Sequence, residues 1–246
     1  MSLRILYQDP YFVAVDKPAG FHVHPPEDQR HKISRAVNCL FILNQQLQSY
    51  IYPIHRLDRA TSGVLLFALD SDSARLGCDL FKNREIEKIY YCVVRGKIEE
   101  SGRIDYPLDS HAESQDAERQ PAVTEYTPVA SIELPFASSR FLTSRYTLLR
   151  VKPLTGKMHQ IRRHFAHLSH PLIGDTVYGD GKHNRYFREQ LNISGLLLKS
   201  YSLEFQHPRS ESGLYIASTW NGTWHKVFEL FQICPLERRY RKNLPS

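Results

Sequence analysis

Apolar positions in this chain fall mostly in short runs divided by turn formers, the rhythm of β-strands, and only a few stretches show helical spacing. Residues 4–7 and 11–15 are two such runs, joined by a turn at Gln8-Asp9-Pro10 and followed by another at residues 16–20. From 33 to 47, Ile33, Ala36, Val37, Leu40, Phe41 and Leu47 share one helical face, and that face reads as core. Residues 50–54 and 64–69 read as strands, the second a continuous apolar run of the buried kind. A second helix follows, capped by Asp70 or Ser71, with Ala74, Leu80 and Phe81 on its apolar side. β-Branched and aromatic residues predict further strands at 88–96, 122–130 and 145–151. Residues 109–121 are polar and lack periodicity, which predicts a loop serving as a flexible lip or internal boundary. Residues 155–168 read as a turn entering a helix, with Ile161, Phe165 and Leu168 on one face and Arg162, Arg163 and His167 to its sides. A terminal helix is expected at 224–231. Strands outnumber helices and hairpin-length links recur, so the pattern favours an α+β fold over a doubly wound parallel sheet.

Composition narrows this picture little. The 246 residues, 41% hydrophobic and 24% charged, describe an ordinary globular protein with room for one large domain or two small ones. A net charge of +6 suits a polyanionic partner without identifying one. The four cysteines, at 39, 78, 92 and 234, form no Cys-x-x-Cys pair and read as free thiols in a reducing compartment. No apolar stretch approaches the roughly 20 residues of a membrane span, and the first residues lack a signal-peptide core. A cytoplasmic protein without membrane contact is expected.

The candidate chemistry begins at His55-Arg56-Leu57-Asp58-Arg59-Ala60-Thr61-Ser62-Gly63. Asp58 lies between two arginines on a loop between apolar runs, where a scaffold can present a functional group. Two flanking cations favour a carboxylate there. The same pattern also fits an Asp paired with a neighbouring Arg to fix a turn. The most basic stretch is Thr155-Gly156-Lys157-Met158-His159-Gln160-Ile161-Arg162-Arg163-His164, a helix start whose cations and amides can hold phosphates or a carboxylate. His159, His164, His167 and His170 raise the question of a metal. With no Cys pair nearby and no His-Glu-x-x-His, none is expected. The chain also lacks the Gly-x-Ser-x-Gly elbow and the Gly-rich phosphate loop, which argues against a serine hydrolase or a nucleoside-triphosphate enzyme.

Residues 55–63 resemble the signature of the RluA-type pseudouridine synthases. Lys17-Pro18-x-Gly20, Lys88-x-Tyr90 and residues 121–126, 155–164 and 171–179 are similar to further motifs of that family, in order and spacing. The likeness runs from about residue 3 to the terminal helix. It is strongest to the branch that acts on uridine 65 in the T stem of tRNA, resting on residues 133–135, 143–146, 163–168 and 180–185. The resemblance implies an α+β fold with a long mixed, largely antiparallel sheet, flanking helices and a central basic cleft. It implies one catalytic domain over residues 1–246, with two subdomains divided near 109–121 and no S4-type RNA-binding module. The implied reaction isomerises uridine to pseudouridine without cofactor or metal: the base is cut from C1′, turned and rejoined through C5. Asp58 would be the essential group, acting at C1′ or at C2′. Arg162 would pair with it, and Tyr90 would stack on the base and share in proton transfer. Arg56 would fill the space left by the flipped uridine, and Arg59, Lys157, His159, Arg163 and Lys17 would also contact RNA. The implied partner is tRNA, bound by a monomer that needs no other protein. Two alternatives stay open: the same chemistry on ribosomal RNA, and an inert RNA-binding protein. The sequence departs from the family pattern at Lys157, where arginine is usual and bidentate grip is lost, and at Lys199, where many relatives carry histidine. The basic residues at 238–242 read as a solvated end.

Overall fold

The structure, a computed structural model, describes residues 2–24, 34–109, 118–138 and 141–234. Its strands are β1 (Arg4–Gln8), β2 (Phe12–Lys17), β3 (Tyr52–Pro53), β4 (Ser62–Ala68), β5 (Glu87–Arg95), β6 (Gly102–Asp105), β7 (Leu108–Asp109), β8 (Arg119–Gln120), β9 (Val123–Leu134), β10 (Ser144–Pro153), β11 (Leu198–Gln206) and β12 (Gly213–Ala217). The helices are α1 (Cys39–Leu47), α2 (Ser71–Lys82), α3 (Gln160–His167), α4 (Gly181–Glu189) and α5 (Gly222–Leu230). One long sheet runs β1-β2-β4-β11-β5-β10-β9-β6, with β12 added to β11 and β3 to β4, while β7 and β8 form a separate pair. Its ladders are antiparallel except β4 on β11. This is the mixed, largely antiparallel α+β architecture expected.

Period-two alternation sends each strand's side chains to both faces of the sheet, and helices cover both. On β2 and β4, Val13, Val15, Leu65 and Phe67 pack under α1, whereas Phe12, Ala14, Val64 and Leu66 pack under α2. On β5 and β10, Tyr91, Val93, Tyr146 and Leu148 meet α4 and α5, whereas Cys92, Val94, Leu149 and Val151 meet α3. Tyr90 packs against both the α1 cluster and the α3 cluster, so it marks the seam between them. The parallel β4–β11 contact needs a glycine. Gly63 has φ +116°, and a Cβ there would lie 1.9 Å from the Ser200 carbonyl oxygen.

Several expectations are corrected. The helix expected from 33 to 47 is broken: Asn38 caps α1 by accepting from the Phe41 amide, leaving a 3-10 turn at Arg35–Val37. Ile33 lies outside the described residues. The strand expected at 50–54 shrinks to β3. Of the loop at 109–121, residues 110–117 lie outside the described residues, and its two ends pair as β7 and β8. Leu168 falls past the end of α3 and is exposed rather than core. Arg162, expected at the side of that helix, is buried. α4, β6 and β12 did not stand out in the polar–apolar pattern because they are short and, in α4, rich in polar residues. Residues 238–242 lie outside the described residues. Among the described residues, no helix is long and apolar enough to cross a membrane.

Candidate active site

Asp58 stands on the loop between β3 and β4, and the preceding turn clamps that loop. Lys17 Nζ donates to the Pro18 and Arg59 carbonyls at 3.0 and 3.1 Å. The Gly20 amide donates to the Arg59 carbonyl at 2.8 Å, and Arg59 Nε donates back to Gly20 at 3.1 Å. With its backbone fixed from two sides, Asp58 projects into a cavity of about 500 Å³ at the seam marked by Tyr90.

Arg162 reaches Asp58 from α3, on the other half of the sheet. Its Nη1 donates to Asp58 Oδ2 at 3.3 Å. The same guanidinium grips Asp175 with two bonds, Nε to Oδ2 at 2.7 Å and Nη2 to Oδ1 at 2.9 Å. Asp175 is itself fixed by the Val177 and Tyr178 amides. Burial works against charge on Asp175, but the Arg162 bonds and those amides outweigh it and hold its carboxyl below the usual range. Burial also opposes the charge on Arg162, and Asp175 and Asp58 more than restore it. The start of α3 is shaped by Gln160, whose Oε1 accepts from Thr155 Oγ1 and the Lys157 amide. Its Nε2 donates to the Val123 carbonyl and to Thr124 Oγ1.

His159 enters the site in a left-handed backbone conformation, φ 53°. Its Nδ1 is 3.0 Å from the Tyr178 hydroxyl and its Nε2 is 3.9 Å from Asp58 Oδ2. Burial lowers its pKa against the opposing pull of Asp58 and so favours the neutral ring. Both contacts to the Asp58 carboxylate fall on Oδ2, leaving Oδ1 free of hydrogen bonds from the described residues. Tyr90 lines the same cavity from β5. Burial, with the Asp58 charge adding, pushes its phenol up to about 12, and the Ser200 hydroxyl only partly offsets this. Tyr90 is therefore a phenol and not a phenolate at neutral pH.

A carboxylate held by a buried arginine beside a half-buried tyrosine, in a cleft rich in cations, is the arrangement the sequence motifs implied. The family model described as RNA pseudouridylate synthase matches residues 11–167. The chain belongs to that family. Among its relatives, tRNA pseudouridine synthase C of Vibrio vulnificus (strain CMCP6) is 45% identical over 237 residues, covering 94% of this chain and 96% of that protein. The protein of the same name from Pasteurella multocida (strain Pm70) is 42% identical over 239 residues, covering 94% and 97%. Two solved human structures share the fold. RNA pseudouridylate synthase domain containing 4 has a TM-score of 0.69 at 24% identity, covering 93% of each chain. RNA pseudouridylate synthase domain containing 1 has a TM-score of 0.67 at 21% identity, covering 95% of this chain and 96% of that one.

In this synthase the other expected residues divide. Arg56, Lys157 and His159 line the cavity, and Arg59 is exposed beside it. Lys17 is fully buried with its ammonium on backbone carbonyls, so the expected RNA contact is corrected to a clamp on the Asp58 loop. Arg163 is committed to Asp109, donating to its carbonyl at 3.0 Å with its carboxylate at 3.4 Å, which removes it from the cavity wall. His164 is buried between Thr124 and the Tyr106 carbonyl, His167 stacks on Tyr106, and His170 meets the Arg95 carbonyl. The four histidines thus point to separate places. Lys199 is buried with Nζ 3.5 Å from Asp16, and it is absent from the cavity lining. Asp175, Gln160, Tyr178 and Thr61 were given no role in the sequence reading. The turn-rich segment 171–179 was the signal for two of them.

Proposed function

We propose that this protein isomerises uridine to pseudouridine in tRNA, at position 65 of the T stem, with Asp58 as the essential catalytic group. The observation that carries this reading is the held carboxylate: Asp58 lines a basic cavity large enough for a nucleotide, its Oδ2 tied to Arg162 and its Oδ1 free of hydrogen bonds from the described residues. The relatives named tRNA pseudouridine synthase C, alike over nearly the whole chain, support tRNA as the substrate.

A uridine in a stem leaves its stack before chemistry, at a cost on the order of a few kcal/mol. Arg56, exposed at the cavity and next but one to Asp58, fills the vacated space. The flipped base stacks on Tyr90. Asp58 Oδ1 then acts as nucleophile at C1′ or as base at C2′, and Arg162 keeps the carboxylate charged and aimed. After the base turns and C5 bonds to C1′, the C5 proton must leave, and the Tyr90 hydroxyl takes part in that transfer. Lys157 and Arg59 contact phosphates. The chain works as one catalytic domain whose halves flank the cavity, as a monomer without a protein partner.

The test is pseudouridine mapping on unmodified tRNA transcripts, with purified protein and with Asp58→Asn. A single new pseudouridine at position 65 is expected, absent with the variant although the variant still binds RNA. Product on ribosomal RNA fragments alone would overturn the substrate. An active Asp58→Asn would overturn the site.

A further inference from the structure

Arg56, Lys82, Arg84 and Lys88 all line the cavity, and none of their side chains has a hydrogen-bond or ion-pair partner among the described residues. Cations elsewhere are commonly matched: Arg95 with Asp180 at 2.7 Å, Lys152 with Glu87 at 2.7 Å, Arg145 with Glu133 at 3.0 Å. Arg75, Lys182 and Arg185 are also unmatched, and Arg35 and Arg209 have only an aromatic ring beneath them, but all five stand outside the cavity. Among the described residues, Asp58 is the one carboxylate lining it, and Arg162 already holds that group. Glu87, next to Lys88 in sequence, points to the opposite face of β5 and serves Lys152.

Local structure explains only part of this cluster. Lys82 is the last residue of α2, where a cation complements the helix dipole. Arg84, two residues on and left-handed at φ 64°, ends the helix, its amide and that of Glu85 donating to the Phe81 and Leu80 carbonyls, so the dipole account extends to it. No such account covers Lys88, whose half-buried ammonium is disfavoured by burial and by Arg84. A cluster of like charges without counterions is a standing cost to the free protein, and a polyanion relieves it. The arrangement also has a direction. Lys88 and Tyr90 are two residues apart on one face of β5, about 7 Å along the strand, and the α2–β5 turn carries Lys82 and Arg84 just before β5 begins.

We infer that Lys82, Arg84 and Lys88 bind backbone phosphates of the RNA strand flanking the target uridine, which therefore enters the cavity past the α2–β5 turn. This rests on the proposed isomerisation of uridine in RNA. Arg56, which lines the cavity two residues before Asp58, belongs to base replacement rather than to the track.

The test is binding of a tRNA transcript by Asp58→Asn protein, measured from 50 to 200 mM salt. Each of Lys82→Ala, Arg84→Ala and Lys88→Ala in that background is expected to weaken binding. Each is also expected to flatten the plot of log affinity against log salt by about 0.7 to 0.9. Lys97→Ala and Arg188→Ala, which remove exposed cations paired elsewhere on the surface, leave the slope unchanged. If Lys88→Ala fails to fold, the exposed Lys82 and Arg84 carry the test. Slopes equal to the parent's for both would overturn the phosphate track. Failure of the wild-type protein to make any pseudouridine would instead overturn the function, whatever the slopes.

Discussion

Arg162 spends two of its donors on Asp175, at 2.7 and 2.9 Å, and has one, Nη1, left for Asp58 at 3.3 Å. The aim of the proposed catalytic carboxylate is thus set by a second carboxylate that never reaches the cavity. Asp175→Asn keeps the shape but leaves a buried guanidinium without its bidentate partner. Removing one member of a buried pair costs about 3–5 kcal/mol, so a loss near the lower end is expected in urea unfolding, together with reduced turnover. Asp58→Asn leaves the Arg162–Asp175 pair intact and is expected to change stability far less. Equal stabilities for the two variants would show that Arg162 does not depend on Asp175.

Tyr90 makes a separable contribution through its ring and its hydroxyl. Tyr90→Phe retains the packing against the α1 and α3 clusters and the face offered to a base. RNA binding is expected to persist while turnover falls about 100-fold or more, the usual scale for a lost acid–base group. Because the phenol is held near 12, ionisation of Tyr90 should leave the wild-type rate untouched up to about pH 10. An alkaline fall below that pH, missing when Tyr90 is replaced by Phe, would contradict the burial argument.

Two central strands were legible because β4 is a continuous apolar run and β5 a β-branched and aromatic one, whereas the polar-studded β11 between them was not, and Asp70 announced α2 by its place before an apolar spacing. What local pattern missed was decided at a distance. Lys17 looks like a surface cation until the Arg59 carbonyl, 42 residues away, takes its ammonium. Asp175 sits in a turn and acquires meaning only through Arg162. Arg163 resembles Arg162 in sequence, yet one helical step turns it to Asp109 and out of the cavity. Asn38 broke a helix that its neighbours' spacing favoured, because its side chain offers the Phe41 amide a cap.

Thr61 lines the cavity three residues after Asp58 and is 2% exposed, with an Oγ1 that has no hydrogen-bond partner among the described residues. An unpaired buried hydroxyl costs about 1–3 kcal/mol, a cost understandable where substrate supplies the missing partner. Thr61→Val is expected to leave the free protein as stable or slightly more stable, and to lower kcat/KM for RNA. Unchanged kcat/KM with raised stability would make the hydroxyl a plain packing defect.

His55 opens the Asp58 motif and yet cannot act as an acid there. Its Nε2 accepts from the Leu66 amide at 3.0 Å, and its ring stacks on Phe81 with centroids 4.4 Å apart. Burial, with Lys88 adding, pushes its pKa down to about 3, so it stays neutral in the folded protein. The unfolded chain takes up that proton near pH 6.5. Between pH 6.5 and about 3 the unfolded state therefore binds more protons, and stability falls as pH falls, by at most about 1.4 kcal/mol per pH unit from this group. His55→Gln keeps an acceptor for Leu66 and removes the titration. Urea unfolding at pH 7 and pH 5 should then show a wild-type loss larger than the variant's by up to about 2 kcal/mol. His164 and His183, also lowered by burial, contribute equally to both proteins and cancel in the difference. Equal losses would mean that His55 accepts a proton in the native state, and the Leu66 amide would then have lost its acceptor.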